Sequence, residues 1–582
     1  DETQLPDELI QSFLGIDNCP AYRGIAYIVI KDFPLENYSN KIPNFNFEVI
    51  NNSKLCGKLN LENMVKSMVL IPGSGEFVYD TIVQSKVSRL EIDGEFVQLG
   101  NFKKINKHSY YDKTDAIIAL DQLQESCPNI NWVAPVVTWF TNTTNIRNCK
   151  ILPSVEYRDN SITTPDEWMV AGYNRNNAYL ISRDSDDNPN YGGSINDQTI
   201  LRFLDELKDR NLKIMFYPMF FIDLPEKPWR GRLTGNESDV ESFFRKSGGY
   251  NDFILHYANL TKGKIDAFII GSELIGLTKI KDSNNKFPAI DELINLAQQV
   301  KEILGKNVLV SYAADWSEYH HTNDGWYNLD SLWASDHIDF VGIDAYFPLT
   351  QNNSSKYNKE LIKRGWNSGE GYDYYIEDNI KIPLKEEYAW KNIEWWWSNN
   401  HINPDGNKTA WVAKSKKIWF TEYGFPSIDN ATNQPNVFYN PKSIEGNIPK
   451  NSNGKIDFYI QRIAIEATEE FWENSDFVEQ KFLWTWDMRP YPIWPDRRDI
   501  WRDYDLWSRG HWVSGKIGLS SLGLVIADLC NRADISQYDI SELNDTIDGF
   551  VINNQQTIRS AIEILSSAYF FNILNNNSIL KF

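Results

Sequence analysis

Lys416–Asp429, KKIWFTEYGFPSID, places an acid at the end of a buried strand. Ile418, Trp419 and Phe420 make a short apolar run, Glu422 follows it, and Gly424 and Pro426 break the strand directly afterwards. Lys264–Thr278, KIDAFIIGSELIGLT, repeats the arrangement with Glu273. A closed parallel barrel presents its working residues this way, at the carboxyl ends of its strands. Two glutamates so placed are the residue types glycoside hydrolysis needs, one to donate a proton and one to attack.

Working outward, the apolar runs alternate with helical periodicity. Strands are predicted at Trp132–Trp139 (WVAPVVTW), Ala178–Ser182, Lys213–Phe221 (KIMFYPMFF), Ile265–Ile270, Asn307–Tyr312, Ile338–Ala345, the Ile418 run and Lys481–Trp486. Between them lie helical stretches at Asp115–Gln124, Asp197–Lys208, Ser238–Leu260, Asp291–Leu304, Lys385–Ser398 and Lys455–Asn474. Eight strands with crossover helices predict an α/β fold, a (β/α)8 TIM-like barrel with insertions spanning residues 111–512. A doubly wound open sheet would carry a glycine-rich loop after its first strand, and this chain has none there.

Residues 1–110 read as a small β-rich (α+β) module, with strands at Gly24–Ile30 and Phe45–Ile50. Val87–Val97 predicts a hairpin around Asp93-Gly94. Residues 513–582 form a third segment, with helices at Leu522–Asn531 and Thr557–Tyr569 and a strand after Asp545. It is short for a core of its own, so it is expected to pack on the N-terminal module or to continue in residues beyond this chain.

With 58 basic and 79 acidic residues, the net charge of −21 argues against a nucleic-acid footprint and against an anionic membrane surface. No apolar run approaches the roughly 20 residues of a spanning helix. Asp1-Glu2-Thr3 opens no signal-peptide pattern and reads as the edge of a fragment. The five cysteines are scattered without a CxxC, and no HExxH is present, so reduced thiols, synthesis in a cytoplasm and no bound metal are expected. No GxSxG elbow, P-loop or dinucleotide fingerprint occurs, and no cofactor is expected. The 21 tryptophans serve core packing and also suit sugar faces.

The strand ends in order are Trp139, Tyr217, Asp223, Glu273, Asp315, Trp316, Asp344, Tyr346, Glu422, Trp484 and Asp487. Glu273 and Glu422 fall on the fourth and seventh strands and are the expected catalytic pair. Tyr346 could hydrogen-bond the nucleophile, and Trp139, Tyr217, Trp316 and Trp484 could bind sugar rings. Asp315, Asp344 and Asp487 are expected to orient substrate or hold structure. Arg183 is placed either against Glu422 or at the surface, and His256 and His320 on helix faces. A strand-end carboxylate can equally cap a helix or pair with arginine, and a barrel alone implies no activity.

Several long motifs carry a resemblance: GGSIND at Gly192, MFYPMFFID at Met215, IIGSELIGLT at Ile269, SYAADWSEYH at Ser311, VGIDAYFPL at Val341, WFTEYGFPSIDNATNQPNVF at Trp419, LWTWDMRPYPIWP at Leu483 and GHWVSGKIG at Gly510. Across residues 110–520 the chain resembles the glycoside hydrolase-like TIM-barrel domain of gene transfer agent and phage tail proteins. PAYRGIAYIVIKDFPLENYSNKIPNFNFEV near the N-terminus, and Leu522–Asn572, look like tail-hub segments. The resemblance implies a distal tail or hub component that assembles with other tail or baseplate proteins, commonly as a trimer. It would be made in the cytoplasm and carried into a particle, where the barrel would act on a cell-envelope glycan such as peptidoglycan. The barrel also resembles the clan of retaining glycosidases with acids on strands four and seven, which implies Glu273 as acid/base, Glu422 as nucleophile and Tyr346 as its neighbour. That clan has Asn before the acid to hold the sugar 2-hydroxyl, whereas this chain has the shorter Ser272. The competing expectations are an inactive barrel that is structural or glycan-binding, and a free cytosolic glycosidase.

Overall fold

In the computed structural model the described residues are 5–15, 18–19, 29–45, 60–73, 75–92, 95–351, 357–378, 380–547, 549–552 and 556–582. The chain divides into two compact units, residues 1–50 and 51–582. In the first, Glu8–Leu14 is a helix capped by Asp7, whose Oδ1 accepts from Leu9 N at 2.9 Å. The predicted strands at Gly24–Ile30 and Phe45–Ile50 fall mainly outside the described residues.

The second unit is built on a closed barrel of eight parallel strands. In chain order they are β1 (Ser67–Ile71), β2 (Trp132–Thr141), β3 (Lys213–Ile222), β4 (Ala267–Ser272), β5 (Leu309–Asp315), β6 (Val341–Asp344), β7 (Ile418–Tyr423) and β8 (Val478–Asp487). Each pairs with its neighbours in sequence, and β1 closes the ring by pairing with both β2 and β8. Val69, Trp132, Ala134, Val136, Met215, Ile269, Trp419 and Phe482 fill the interior. Alternate residues such as Val133, Val137, Phe216 and Phe268 face outward into a larger core under the helices. Both faces of the strands are therefore buried, as a parallel sheet wrapped by helices requires.

The covering helices include α1 (Asp115–Ser126), α2 (Asp197–Asp209), α3 (Glu237–Arg245), α4 (Tyr250–Leu260), α5 (Pro288–Leu304) and α6 (Phe458–Trp472). The single helix predicted over Ser238–Leu260 is two, because the chain turns at Gly248 (φ +73°) and Gly249, where an added Cβ would strike the Phe243 and Lys246 carbonyls. The helix predicted over Lys385–Ser398 is confined to Ile393–Ser398.

The strand count of eight is right, but its membership needed two corrections. Ser67–Ile71 is a barrel strand, so the barrel begins upstream of the predicted start at residue 111. Only five residues long and without alternation, SMVLI gives a weak strand signal. Ala178–Ser182 is not a barrel strand; Tyr179-Leu180 pairs only with Ser154-Val155 in the loop after β2. The predicted hairpin exists as Ser85–Ile92 against Glu95–Lys104, its turn lying outside the described residues, and Ile162–Thr164 extends that sheet.

Residues 520–582 carry a small core of their own, with Leu522, Ile526, Leu529, Ile562, Leu565 and Phe582 buried together. The chain leading into them is tied to α6 through Arg462, which donates to the carbonyls of Ile517 and Leu519 and pairs with Glu62 at 2.7 Å.

Candidate active site

At Ser272 the β4 strand ends, and Glu273 turns the chain with φ +52°, a conformation that disfavours residues with a Cβ. Backbone hydrogen bonds fix this turn. Glu273 N donates to Ala313 O on β5 at 2.8 Å, and Leu274 N donates to the Tyr312 hydroxyl at 2.6 Å. That hydroxyl in turn donates to Glu318 at 2.9 Å. The carboxylate of Glu273 is aimed by two residues from the loop after β3. Trp229 donates its indole N–H to Oε2 at 2.7 Å, and Arg230 Nη2 lies 2.8 Å from the same oxygen.

Arg230 is buried and forked. Its Nε donates to Ser272 O at 2.9 Å and its Nη2 to Ser272 Oγ at 2.6 Å. Burial opposes the guanidinium charge, but Glu273, followed by Tyr217, Glu422 and Asp344, holds its pKa above the ordinary arginine value. Neither Trp229 nor Arg230 was singled out from sequence. One signal was present: three acids converging on a closed mouth require a cation, and PWRGR directly after β3 is the basic stretch able to supply it.

Glu422 is 3% exposed and Glu273 8%. The Tyr346 hydroxyl donates to Glu422 Oε2 at 2.7 Å, while Oε1 is buried without a hydrogen-bond partner among the described residues. Asp344, at the end of β6, accepts from Thr421 Oγ1 at 2.7 Å and lies 3.2 Å from the Tyr217 hydroxyl and 3.4 Å from Ser272 Oγ. One carboxylate oxygen from each of Glu273, Asp344 and Glu422 lies within 4.8 Å of the other two. Burial, and then the charge of Glu273, pushes the Glu422 carboxyl up to about 8. Burial and the charges of Glu422 and Glu273 hold Asp344 well above the usual carboxylate range.

This has a testable consequence for stability. Between the ordinary glutamate value near ~4.3 and about 8, folded Glu422 keeps a proton that unfolded Glu422 has lost. Its contribution to stability is complete below the unfolded value and is lost as pH rises towards the folded one. Glu422→Gln is expected to flatten the pH dependence of the unfolding free energy across that window, measured by urea denaturation. An unchanged slope would contradict a protonated buried carboxyl here.

The structure brings Tyr217, Ser272, Glu273, Tyr346 and Glu422 together around Asp344. Asp315 ends β5 facing Glu273; burial and then that charge push it up to about 7, against hydrogen bonds from Ser317. Trp484, three residues before the end of β8, lies at the barrel interior, edge-on to Phe438 with centroids 6.4 Å apart. Trp316 is half-buried against Phe347. Trp139 does not belong to the site. It follows the outward parity of Val133 and Val137, donates its indole N–H to the Tyr257 hydroxyl at 2.9 Å and packs on Phe253 of α4.

Arg183 is not against Glu422 either; it donates to the carbonyls of Asp187 and Glu156. Asp487 is held by Arg489, with Nε 2.8 Å from Oδ1, and Asp223 by Ser182 and Tyr179, so both are structural.

Among the described residues, Glu273, Asp344 and Glu422 are spaced as three ligands of an ion could be. Arg230 already sits on Glu273 Oε2, and Thr421 and Tyr217 occupy Asp344, so the trio fits proton sharing better than a metal. Chemically the site offers two glutamates from opposite sides of the mouth, one proton-sharing neighbour, and one cation to offset them.

The sequence model of the GTA TIM-barrel-like domain matches residues 248–495. Comparison with curated proteins gives no match. Similar solved structures include a GH113 beta-1,4-mannanase complex, at 13% identity over 81% of this chain and 99% of that one, with a TM-score of 0.43. Another is a GH113 beta-mannanase from Alicyclobacillus acidocaldarius in complex with ManMIm, at 13% identity, 81% and 98% coverage and TM-score 0.42. A third is the GH53 catalytic domain of Ignisphaera aggregans, at 11% identity, 75% and 87% coverage and TM-score 0.31.

Proposed function

We propose that the barrel is a retaining glycoside hydrolase acting on a cell-envelope glycan, carried by a component of a phage tail or gene transfer agent-like particle. The observation that carries the chemistry is the pair Glu273 and Glu422, on β4 and β7, with oxygens within 4.8 Å. Retaining enzymes hold their two carboxyl groups about 5–5.5 Å apart, and inverting ones leave room for a water between them.

In this reading ionised Glu422 attacks the anomeric carbon while Glu273 protonates the departing glycosidic oxygen. The C–O bond breaks as the glycosyl ester to Glu422 forms. Glu273 then takes a proton from water, which hydrolyses the ester and restores both groups. The pair holds one proton to share. At rest, burial and then the charge of Glu273 hold the proton on Glu422, while Trp229 and Arg230 contact Glu273 Oε2. A glycan must move it to Glu273 on binding, with the donors to Glu273 reorganising. Ser272 Oγ is engaged by Arg230, so Arg230 takes over the polar contact that a longer side chain at 272 would make. The test is release of reducing ends from peptidoglycan and from surface polysaccharides by the full chain. Cleavage of none of them would sink the catalytic reading.

A second reading, a barrel that holds glycan without cutting it, is favoured by one observation. Glu273 is already ion-paired and both glutamates are nearly covered. It predicts glycan binding unchanged by glutamine at 273 or 422, with no turnover in any form. The particle context rests on the description of the matching family and on the tail-hub resemblance of the flanking segments. It predicts that the chain co-sediments with tail-like particles and cross-links as a trimer. Recovery only as a free protein would contradict it and favour a free glycosidase.

A further inference from the structure

Glu273 and Glu422 are each held by a residue that the loop after β7 touches. The loop after β7 crosses the mouth between them. At Phe438 it lies beside the Glu422 partner Tyr346, with ring centroids 5.5 Å apart, and stacks on His511 at 4.1 Å. Seven residues on, at Glu445, it accepts from the backbone N of Trp229, the residue whose indole holds Glu273. The stretch Phe438–Glu445 thus runs from the Glu422 side to the Glu273 side. It is fastened to the loop after β3, which rises from the opposite wall, because β3 and β7 are four strands apart in the ring of eight. The fastenings are Ile444 N to Glu226 O at 2.8 Å, Ser443 Oγ to Lys227 O at 3.0 Å, and a forked ion pair of Arg232 with Glu445, Nη2 to Oε2 at 3.0 Å. A tight turn shapes the stretch, since a Cβ at Gly446 would strike the Asn440 backbone.

The ion pair is the weak member of this set. Its side chains are 50% and 30% exposed, unlike the buried Arg462–Glu62 pair below the barrel wall. An exposed pair contributes little to stability and yields to salt. The stretch's only side-chain ion pair to the facing loop, among the described residues, is this solvent-facing one.

We infer that Phe438–Glu445 is a strap controlling access to the glutamate pair, opened by release of the Arg232–Glu445 latch. The inference does not require the barrel to cut glycans, so its test uses no substrate. The full chain is treated with a water-soluble carbodiimide and glycine ethyl ester, and modification of Glu273 and Glu422 is followed by peptide mass spectrometry. Arg232→Glu and Glu445→Arg each replace attraction by repulsion and are expected to speed modification of the pair by about fivefold or more. Combining the two restores the attraction and is expected to return the rate to near that of the wild type. Raising ionic strength should speed the wild type and leave the single variants little changed. Single variants labelled at the wild-type rate would overturn the inference. So would a double variant labelled as fast as the singles, or a parallel rise at the distant buried Glu469, which would mean general loosening.

Discussion

Glu422→Gln is expected to lower glycan cleavage by at least about a thousandfold while leaving the barrel folded. The amide keeps the shape of the side chain and can still meet the Tyr346 hydroxyl, but it cannot form the glycosyl ester. Glu273→Gln should be equally damaging towards glycans with poor leaving groups, because the departing oxygen then leaves unprotonated. The two differ in rescue. A small anion such as azide can replace the missing nucleophile in the first variant and give a product of inverted configuration. In the second it can attack the glycosyl ester once formed. Turnover unchanged in both variants would remove the pair from the chemistry altogether. The pH profile carries a further sign. The pair works with one shared proton and the Glu422 carboxyl that holds it at rest is pushed up to about 8, so kcat/KM is expected to fall as pH rises through that value and the proton is lost.

Arg230→Met is expected to cost about 3–5 kcal/mol of stability, the scale found when one partner of a buried ionic cluster is removed. The guanidinium offsets Glu273 directly and lowers the pKa of both Glu422 and Asp344. Without it three carboxyl groups share a closed mouth with no other cation named against them among the described residues. The loss should be largest above about pH 7 and shrink as pH falls, because protonation relieves the repulsion that the arginine now offsets. Arg230→Lys keeps the charge but not the fork to Ser272 and Glu273, and should recover only part of the loss. Urea denaturation at several pH values separates these outcomes. A flat, pH-independent loss would mean that Arg230 acts through packing alone.

What could be read in the sequence follows from which signals are local. Glu273, Glu422 and Tyr346 were legible because each follows directly on an apolar run, and strand ends in a parallel barrel converge. Their neighbours were harder. The parity of Trp139 is not legible because WVAPVVTW is apolar throughout; a strand buried on both faces has no alternation from which to read it. Inward Trp132, Ala134 and Val136 settle that Trp139 faces the helices.

The first strand is too short to signal itself, and the apolar spacing of Ala178–Ser182 is the same in a loop ladder as in a barrel strand. Trp229 and Arg230 come from a connecting loop, and nothing in PWRGR fixes which strand end it folds over. Equally hidden was the strap, whose latch joins Arg232 to Glu445 through two long loops. The shortness of Ser272 is legible in the sequence, but its partner Arg230 comes from a distant loop and is not.

The most direct test of the central claim is the configuration of the first product released. The glycan cleaved fastest in the reducing-end panel is followed by proton NMR within the first minutes, before the sugar mutarotates. A glutamate pair with oxygens within 4.8 Å predicts that the product keeps the anomeric configuration of the substrate. An inverted first product, or no cleavage of any glycan by the intact chain, would contradict it.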